Sequence, residues 1–122
     1  METIIHHIYE KEIAEIISEE IIIHKLQDAL DLIANISYQE ITRIIIKEKN
    51  ITPVFFKLSS GLAGEILQKC VNYGIKIAVV GDLSKYSSNS FNAFVIECNR
   101  GNQFFFVENT EQAREMLGSS SS

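Results

Sequence analysis

The stretch Leu58-Ser59-Ser60-Gly61-Leu62-Ala63-Gly64-Glu65-Ile66-Leu67-Gln68-Lys69-Cys70-Val71-Asn72-Tyr73-Gly74-Ile75-Lys76-Ile77-Ala78-Val79-Val80-Gly81-Asp82 decides the fold class. It reads as a loop, a capped amphipathic helix, a glycine stop and a buried strand. Leu62, Ile66 and Cys70 make one apolar row, and Ala63, Leu67 and Val71 make the next, which is a core-facing helical stripe. Ser59 or Ser60 supplies a hydroxyl cap at its start. Gly74 ends the helix. Ile75 to Val80 is almost wholly apolar, as a strand covered on both faces must be. This is half of an α/β unit, with its loop and helix start aimed at one edge of a sheet.

The same logic extends upstream. Arg43-Ile44-Ile45-Ile46-Lys47-Glu48 is a strand whose three consecutive β-branched residues predict burial on both faces. Thr52 before Pro53 suits an N-cap and first helical position, giving one short turn over 54–57 with Phe55 and Phe56 turned into the core. Nearer the start, residues 3–8 and 12–17 form an antiparallel hairpin around Tyr9-Glu10-Lys11. That turn lacks Asn-Gly or Asp-Gly, so its type is open. Ile21-Ile22-Ile23 fits strand, loop or helix entry. From His24 a helical period brings Leu26, Ala29, Leu30, Ile33 and Ala34 to one face.

Downstream, Gly81 to Asn89 is polar. Phe91, Phe94, Val95 and Cys98 then keep helical spacing until Gly101. Residues 103–107 form the last strand. Asn109 or Thr110 caps a final helix with Ala113, Met116 and Leu117 inward, and Gln112 stands at capping-box spacing from Asn109. The order β-β-α-β-α-β-α-β-α predicts an α/β fold: a mixed five-stranded sheet with an N-terminal hairpin followed by right-handed crossovers. Residues 1–117 form one domain. Residues 118–122, Gly followed by serines, are expected to be a flexible end or an appended remnant outside the fold.

A chain of 122 residues with 46% hydrophobic and 22% charged residues can bury its own core. The net charge of -5 repels phosphate backbones and disfavours nucleic acid as a partner. No apolar run is long enough to span a membrane. Two cysteines and no export signal lead to the expectation of a reduced, cytoplasmic protein.

In an open α/β sheet ligands sit beyond the carboxyl ends of the strands. That edge collects Lys47, Glu48, Lys49 and Asn50; Ser59 and Ser60; Asp82, Ser84, Lys85, Tyr86 and Ser87; and Glu108 and Asn109. Ser59 and Ser60 stand at a helix start, where free N–H groups favour an anion. Gly61 and Gly64 match neither the Walker spacing nor Gly-x-Gly-x-x-Gly, and are expected to allow close helix packing. His6 and His7 are strand neighbours on opposite faces, so they cannot share a metal, and are read as exposed or rim residues. Cys70 and Cys98 lie on apolar stripes, where a thiol is inert packing. The two strand-end acids Glu48 and Asp82 are read as solvated.

The element order, with Ser59-Ser60-Gly61-Leu62 opening the central helix, resembles the STAS domain of anti-sigma factor antagonists and sulfate transporters. In that family the helix opens with Asp-Ser-Ser/Thr-Gly-Leu, and the serine after the aspartate is phosphorylated by a partner kinase. Leu58 stands here in the aspartate's place. The resemblance implies Ser59 as the phosphorylation site. The wording Ala14-Glu15-Ile16-Ile17-Ser18, Gln27-Asp28-Ala29-Leu30-Asp31-Leu32, Gly61 to Lys69 and Gly81 to Tyr86 looks closer to a small bacterial family of unknown function, over about Lys11 to Leu117. That likeness implies no catalytic residues.

The expectation is a non-enzymatic regulatory or protein-interaction domain. The alternative is a binder of a small anion or nucleotide, or an enzyme, using the strand carboxyl edge. A structural subunit that oligomerises through Ile21 to Ile23 is a third reading. No cofactor, metal, nucleic acid or membrane is expected; a protein partner is, with a homodimer left open.

Overall fold

Ile44, Ile45 and Ile46 are all buried, and they point alternately to two different cores. That double burial makes their strand the centre of the sheet. The computed structural model describes residues 1–86 and 88–120. Its elements are β1 (Glu2–Ile8), β2 (Lys11–Ile17), α1 (Leu26–Tyr38), β3 (Arg43–Lys47), α2 (Leu62–Tyr73), β4 (Lys76–Val80), α3 (Asn89–Arg100), β5 (Phe104–Val107) and α4 (Thr110–Ser119), with short 3-10 turns between. Type and order agree with the sequence reading, and the helix starts fall within two residues of the expected positions.

The sheet runs β1-β2-β3-β4-β5, with β1 antiparallel to β2 and every later pair parallel. Three crossovers therefore step in the same direction. Right-handed connections stepping one way put all their helices on one face. Accordingly α1, α2 and α3 share a core with Ala14, Ile16, Ile44, Ile46, Ile77, Val79, Phe104 and Phe106. The opposite face, with Ile13, Ile45, Ala78, Val80 and Phe105, is met only by Ala113 and Leu117 of α4 among the buried helical residues described.

Phe55 and Phe56 plug the first core as expected. Their rings lie 4.9 Å apart, and Phe55 stacks on Phe104. The turn that carries them, Pro53–Phe56, is capped by Thr52, whose hydroxyl accepts from Val54 N. Ile23 forms a parallel bridge with Ile51 and is buried, which leaves Ile21 as the exposed member of the isoleucine run.

Helix α4 corrects the expected chain end. It continues through Ser119, and Gly118 is buried against the hairpin, where an added Cβ would overlap the Ile8 side chain. Arg43 donates through Nε to Leu117 O at 2.8 Å and through Nη2 to Ser120 O at 3.0 Å, and Lys11 donates to Ser120 O as well. Cations on the last carbonyls complete a helix end electrostatically. Residues 118–120 thus belong to the fold; residues 121 and 122, and Ser87, lie outside the described residues.

The hairpin turn resolves as two left-handed residues, Tyr9 (φ 50) and Glu10 (φ 67), between paired Ile8 and Lys11. Both central φ angles are positive, as in the turn type that matches strand twist. The Tyr9 hydroxyl donates to the Glu115 carboxylate of α4 at 3.0 Å, tying the turn to the helix.

Gly64 corrects another expectation. It faces solvent on α2, and nothing lies within 4 Å of an added Cβ. Close packing is needed at Gly118, where the sequence reading placed a loose end. Gly64→Ala should therefore stabilise by about 0.5–1 kcal/mol through helix propensity. Gly118→Ala should destabilise by about 1–3 kcal/mol through overpacking. Urea denaturation checks both, and equal effects of the same sign would contradict the placement of the two glycines.

Candidate functional site

At the carboxyl ends of β3 and β4 the backbone turns twice under side-chain control. Lys47 ends β3, and the 3-10 turn Glu48–Asn50 follows. Asn50 is fully buried. Its Nδ2 donates to Ser18 O and Glu20 O at 2.8 Å each, while its backbone oxygen accepts from Ile22 N and Ile23 N. Asn50 is thus the clamp for the segment leaving β2. Its Oδ1 is the buried side-chain acceptor without a partner among the described residues.

Lys47 also turns inward. It is ion-paired to Glu15 of β2 and donates to Ile16 O at 3.2 Å. Glu15 Oε1 meets His6 Nε2 at 2.7 Å. Burial raises the carboxyl pKa of Glu15, but hydrogen bonds from Lys47 and His6, with their charges, outweigh it, and the net direction is down. His6, expected as an exposed or rim residue, is therefore a half-buried hydrogen-bonding partner, whereas His7 is exposed.

Glu48 is likewise not solvated as expected. Its side chain is 13% exposed and takes Lys85 Nζ at 2.7 Å and the Tyr86 hydroxyl at 3.3 Å. Gly81 allows this crowding, because a Cβ there would sit 2.8 Å from Glu48 Cβ. The hydrogen bond to Glu48 raises the Lys85 pKa. Burial and the nearby Glu48 charge raise that of Tyr86. Asp82 instead accepts from Ser84 N at 3.0 Å, which lowers its pKa. Asp82 and Ser84 line a separate hollow with Glu108 over the ends of β4 and β5.

Ser59 and Ser60 divide sharply. The structure does not start α2 at either. Gly61, left-handed at φ 83, is the N-cap, and the helix begins at Leu62. Ser60 Oγ donates to Val54 O at 2.9 Å and accepts from Leu62 N at 3.3 Å, so it staples two turns together. Ser59 is exposed in the turn Leu58–Ser60, and its hydroxyl has no partner among the described residues. It opens into a cleft of about 560 Å³ lined by Pro53, Phe56, Lys57, Leu58, Ser59, Lys85, Tyr86, Ser88 and Ser90.

Phe56 and Tyr86 stack in this cleft with ring centres 4.3 Å apart and planes 11° apart. Ser88 caps α3, accepting from Phe91 N. The start of α3 therefore borders the cleft and carries partial positive charge, while the turn Leu58–Ser60 that precedes α2 forms the facing wall. Lys57 supplies a second exposed cation. Of the residues expected at the edge, the cleft unites Ser59, Lys85 and Tyr86, with Glu48 beneath. It leaves out Lys47, Asn50, Ser60, Asp82 and Ser84. Sequence reasoning missed Lys57, Ser88 and Ser90. The signal available was that these polar residues flank the two helix starts.

The cysteines stand apart from this site. Both are buried and free; burial pushes the thiol of Cys70 up to about 12 and, with Glu97, that of Cys98 to about 11. No group of three or more metal-ligating side chains gathers among the described residues. No helix described is long and apolar enough to cross a membrane.

A family model described as Domain of unknown function (DUF4180) matches residues 8–117, and the chain belongs to that family. No curated protein and no solved structure matches it.

The two serines should separate in mutagenesis. Ser60→Ala should cost about 0.5–1.5 kcal/mol, since it removes hydrogen bonds that no neighbour replaces. Ser59→Ala should stay within about 0.5 kcal/mol of the parent. Chemical denaturation decides, and a larger loss at Ser59 than at Ser60 would contradict the assignment.

Proposed function

We propose that this chain is a protein-interaction domain, and that the cleft between the turn preceding α2 and the start of α3 receives an acidic or phosphate-bearing segment of its partner. One observation carries the reading. On a chain of net charge -5, the described residues of the cleft wall include Lys57, Lys85, Ser59, Ser88 and Ser90 and no carboxylate, with Glu48 beneath the wall holding Lys85. The start of α3, with Ser88 and Ser90 in the wall, adds positive potential at the same place. The Tyr86 ring, backed by Phe56, gives the partner an apolar platform beside the cations.

The lining also separates binding from group transfer. Among the described residues of the wall, the hydroxyls of Ser59, Ser88 and Ser90 have no imidazole, thiol or carboxylate to take a proton from them. A nucleophilic serine needs such a neighbour. Regulation follows from the same geometry. A phosphate on exposed Ser59 would bring about -1.5 to -2 charge between Lys57 and Lys85. It would occupy the cations that the partner's acidic segment needs, while the fold, which does not use the Ser59 hydroxyl, would persist. The resemblance of Ser59-Ser60-Gly61-Leu62 to the STAS phosphorylation segment supports this regulatory reading.

The test is an amide chemical-shift titration of the protein with a peptide rich in aspartate and phosphoserine. Shifts should concentrate at residues 57–60 and 85–90. Lys57→Glu and Ser59→Asp should each weaken binding at least about tenfold, a loss of about 1.4 kcal/mol, with unchanged melting temperature. Shifts spread over all surface lysines, or undiminished binding by Lys57→Glu, would overturn the reading.

A further inference from the structure

The two edges of the sheet are treated differently. At the β5 edge the carboxamide of Asn99 on α3 covers the strand. Its Oδ1 accepts from Phe106 N at 2.8 Å, and its Nδ2 donates to Phe106 O at 3.1 Å. One side chain thus takes both outward backbone groups of that residue. At the other edge, β1 is seven residues long, Glu-Thr-Ile-Ile-His-His-Ile, without proline, lysine or glycine. Natural sheets blunt such an edge with lysine, proline, a bulge or a covering element. The pairing of β1 with β2 is continuous from Glu2 to Ile8, with no bulge. On the α4 face of β1, Ile4 is 47% exposed, because α4 packs over the hairpin end instead.

We infer that β1 pairs antiparallel with β1 of a second copy of this chain, joining two sheets into one across a twofold axis at Ile4. Symmetry and charge choose both the occupant and the register. The axis that relates two side-by-side strands of one sheet stands perpendicular to it. A residue can then lie opposite only a residue on the same face of the other strand. Three central registers satisfy this. With the axis at His6, the two imidazoles oppose each other. With the axis at Ile5, Glu2 falls opposite Ile8, and Ile4 opposite His6. With the axis at Ile4, the exposed Ile4 side chains cover one another, and Glu2 of each copy lies opposite His6 of the other. This last register alone pairs acid with base and apolar with apolar. His6 remains able to take part, because its bond to Glu15 is made through Nε2 and its side chain is 23% exposed.

Sedimentation velocity at high micromolar concentration tests the pairing, with circular dichroism to verify folding. The wild type should sediment at twice the monomer mass. Ile4→Lys, which sets two like charges on the axis at a position outside both cores, should sediment as a folded monomer. Ile4→Cys should form a disulfide-linked dimer under mild oxidation, while Ile21→Cys, exposed elsewhere, should not. A monomeric wild type, a dimer unaffected by Ile4→Lys, or equal cross-linking of the two cysteine variants would overturn the inference.

Discussion

Three successive crossovers stepping in one direction, right-handed by the rule for such units, govern this molecule. They bring α1, α2 and α3 to one face and leave the other to a single ten-residue helix. They also remove any reversal of strand order. The crevice that forms where neighbouring crossovers part to opposite faces, and that usually holds the ligand in open α/β sheets, has no place to form. What remains at the strand carboxyl edge is a cleft between the turn Leu58–Ser60 and the start of α3.

The lone helix α4 explains the unusual burial of charge. One helix cannot cover five strands with apolar side chains. The ends of its face are completed by long charged residues whose stems pack and whose heads find partners. Arg43 and Lys76, 5% and 4% exposed, bind backbone carbonyls of Leu117, Ser120 and Asn102. Burial lowers the pKa of both. At the opposite end Glu15, Lys47 and His6 satisfy one another. These groups are structural, whereas Lys57, Lys85 and Ser59 are exposed at the carboxyl edge and line one cleft.

The fold was legible because its signals are local. Ile44 to Ile46 declare a doubly buried strand, Gly74 a helix stop, and Asn109 with Gln112 a helix start. The Asn109 cap formed as read, although Gln112 reaches back to Glu108 N rather than Asn109 N. The site was half legible. Spacing places Ser59, Lys85 and Tyr86 at one edge, but it cannot say that Asn50 points inward to hold Ser18 and Glu20, or that Lys47 prefers Glu15 to solvent. Those outcomes depend on contacts between strands far apart in sequence. Gly118 was misread for the same reason: a glycine before serines looks like a loose end until the hairpin that needs its missing Cβ is in place.

Among the described residues α4 is the one helix that covers its face of the sheet, and Arg43 fastens its end. Amide hydrogen exchange in the folded Arg43→Met variant measures this most directly, since methionine keeps the apolar stem and removes the donors. Protection should fall sharply along residues 113–119 and in the Tyr9-Glu10 hairpin that leans on them, while α1, α2 and α3 keep theirs. Protection of α4 equal to that of the parent protein would contradict it.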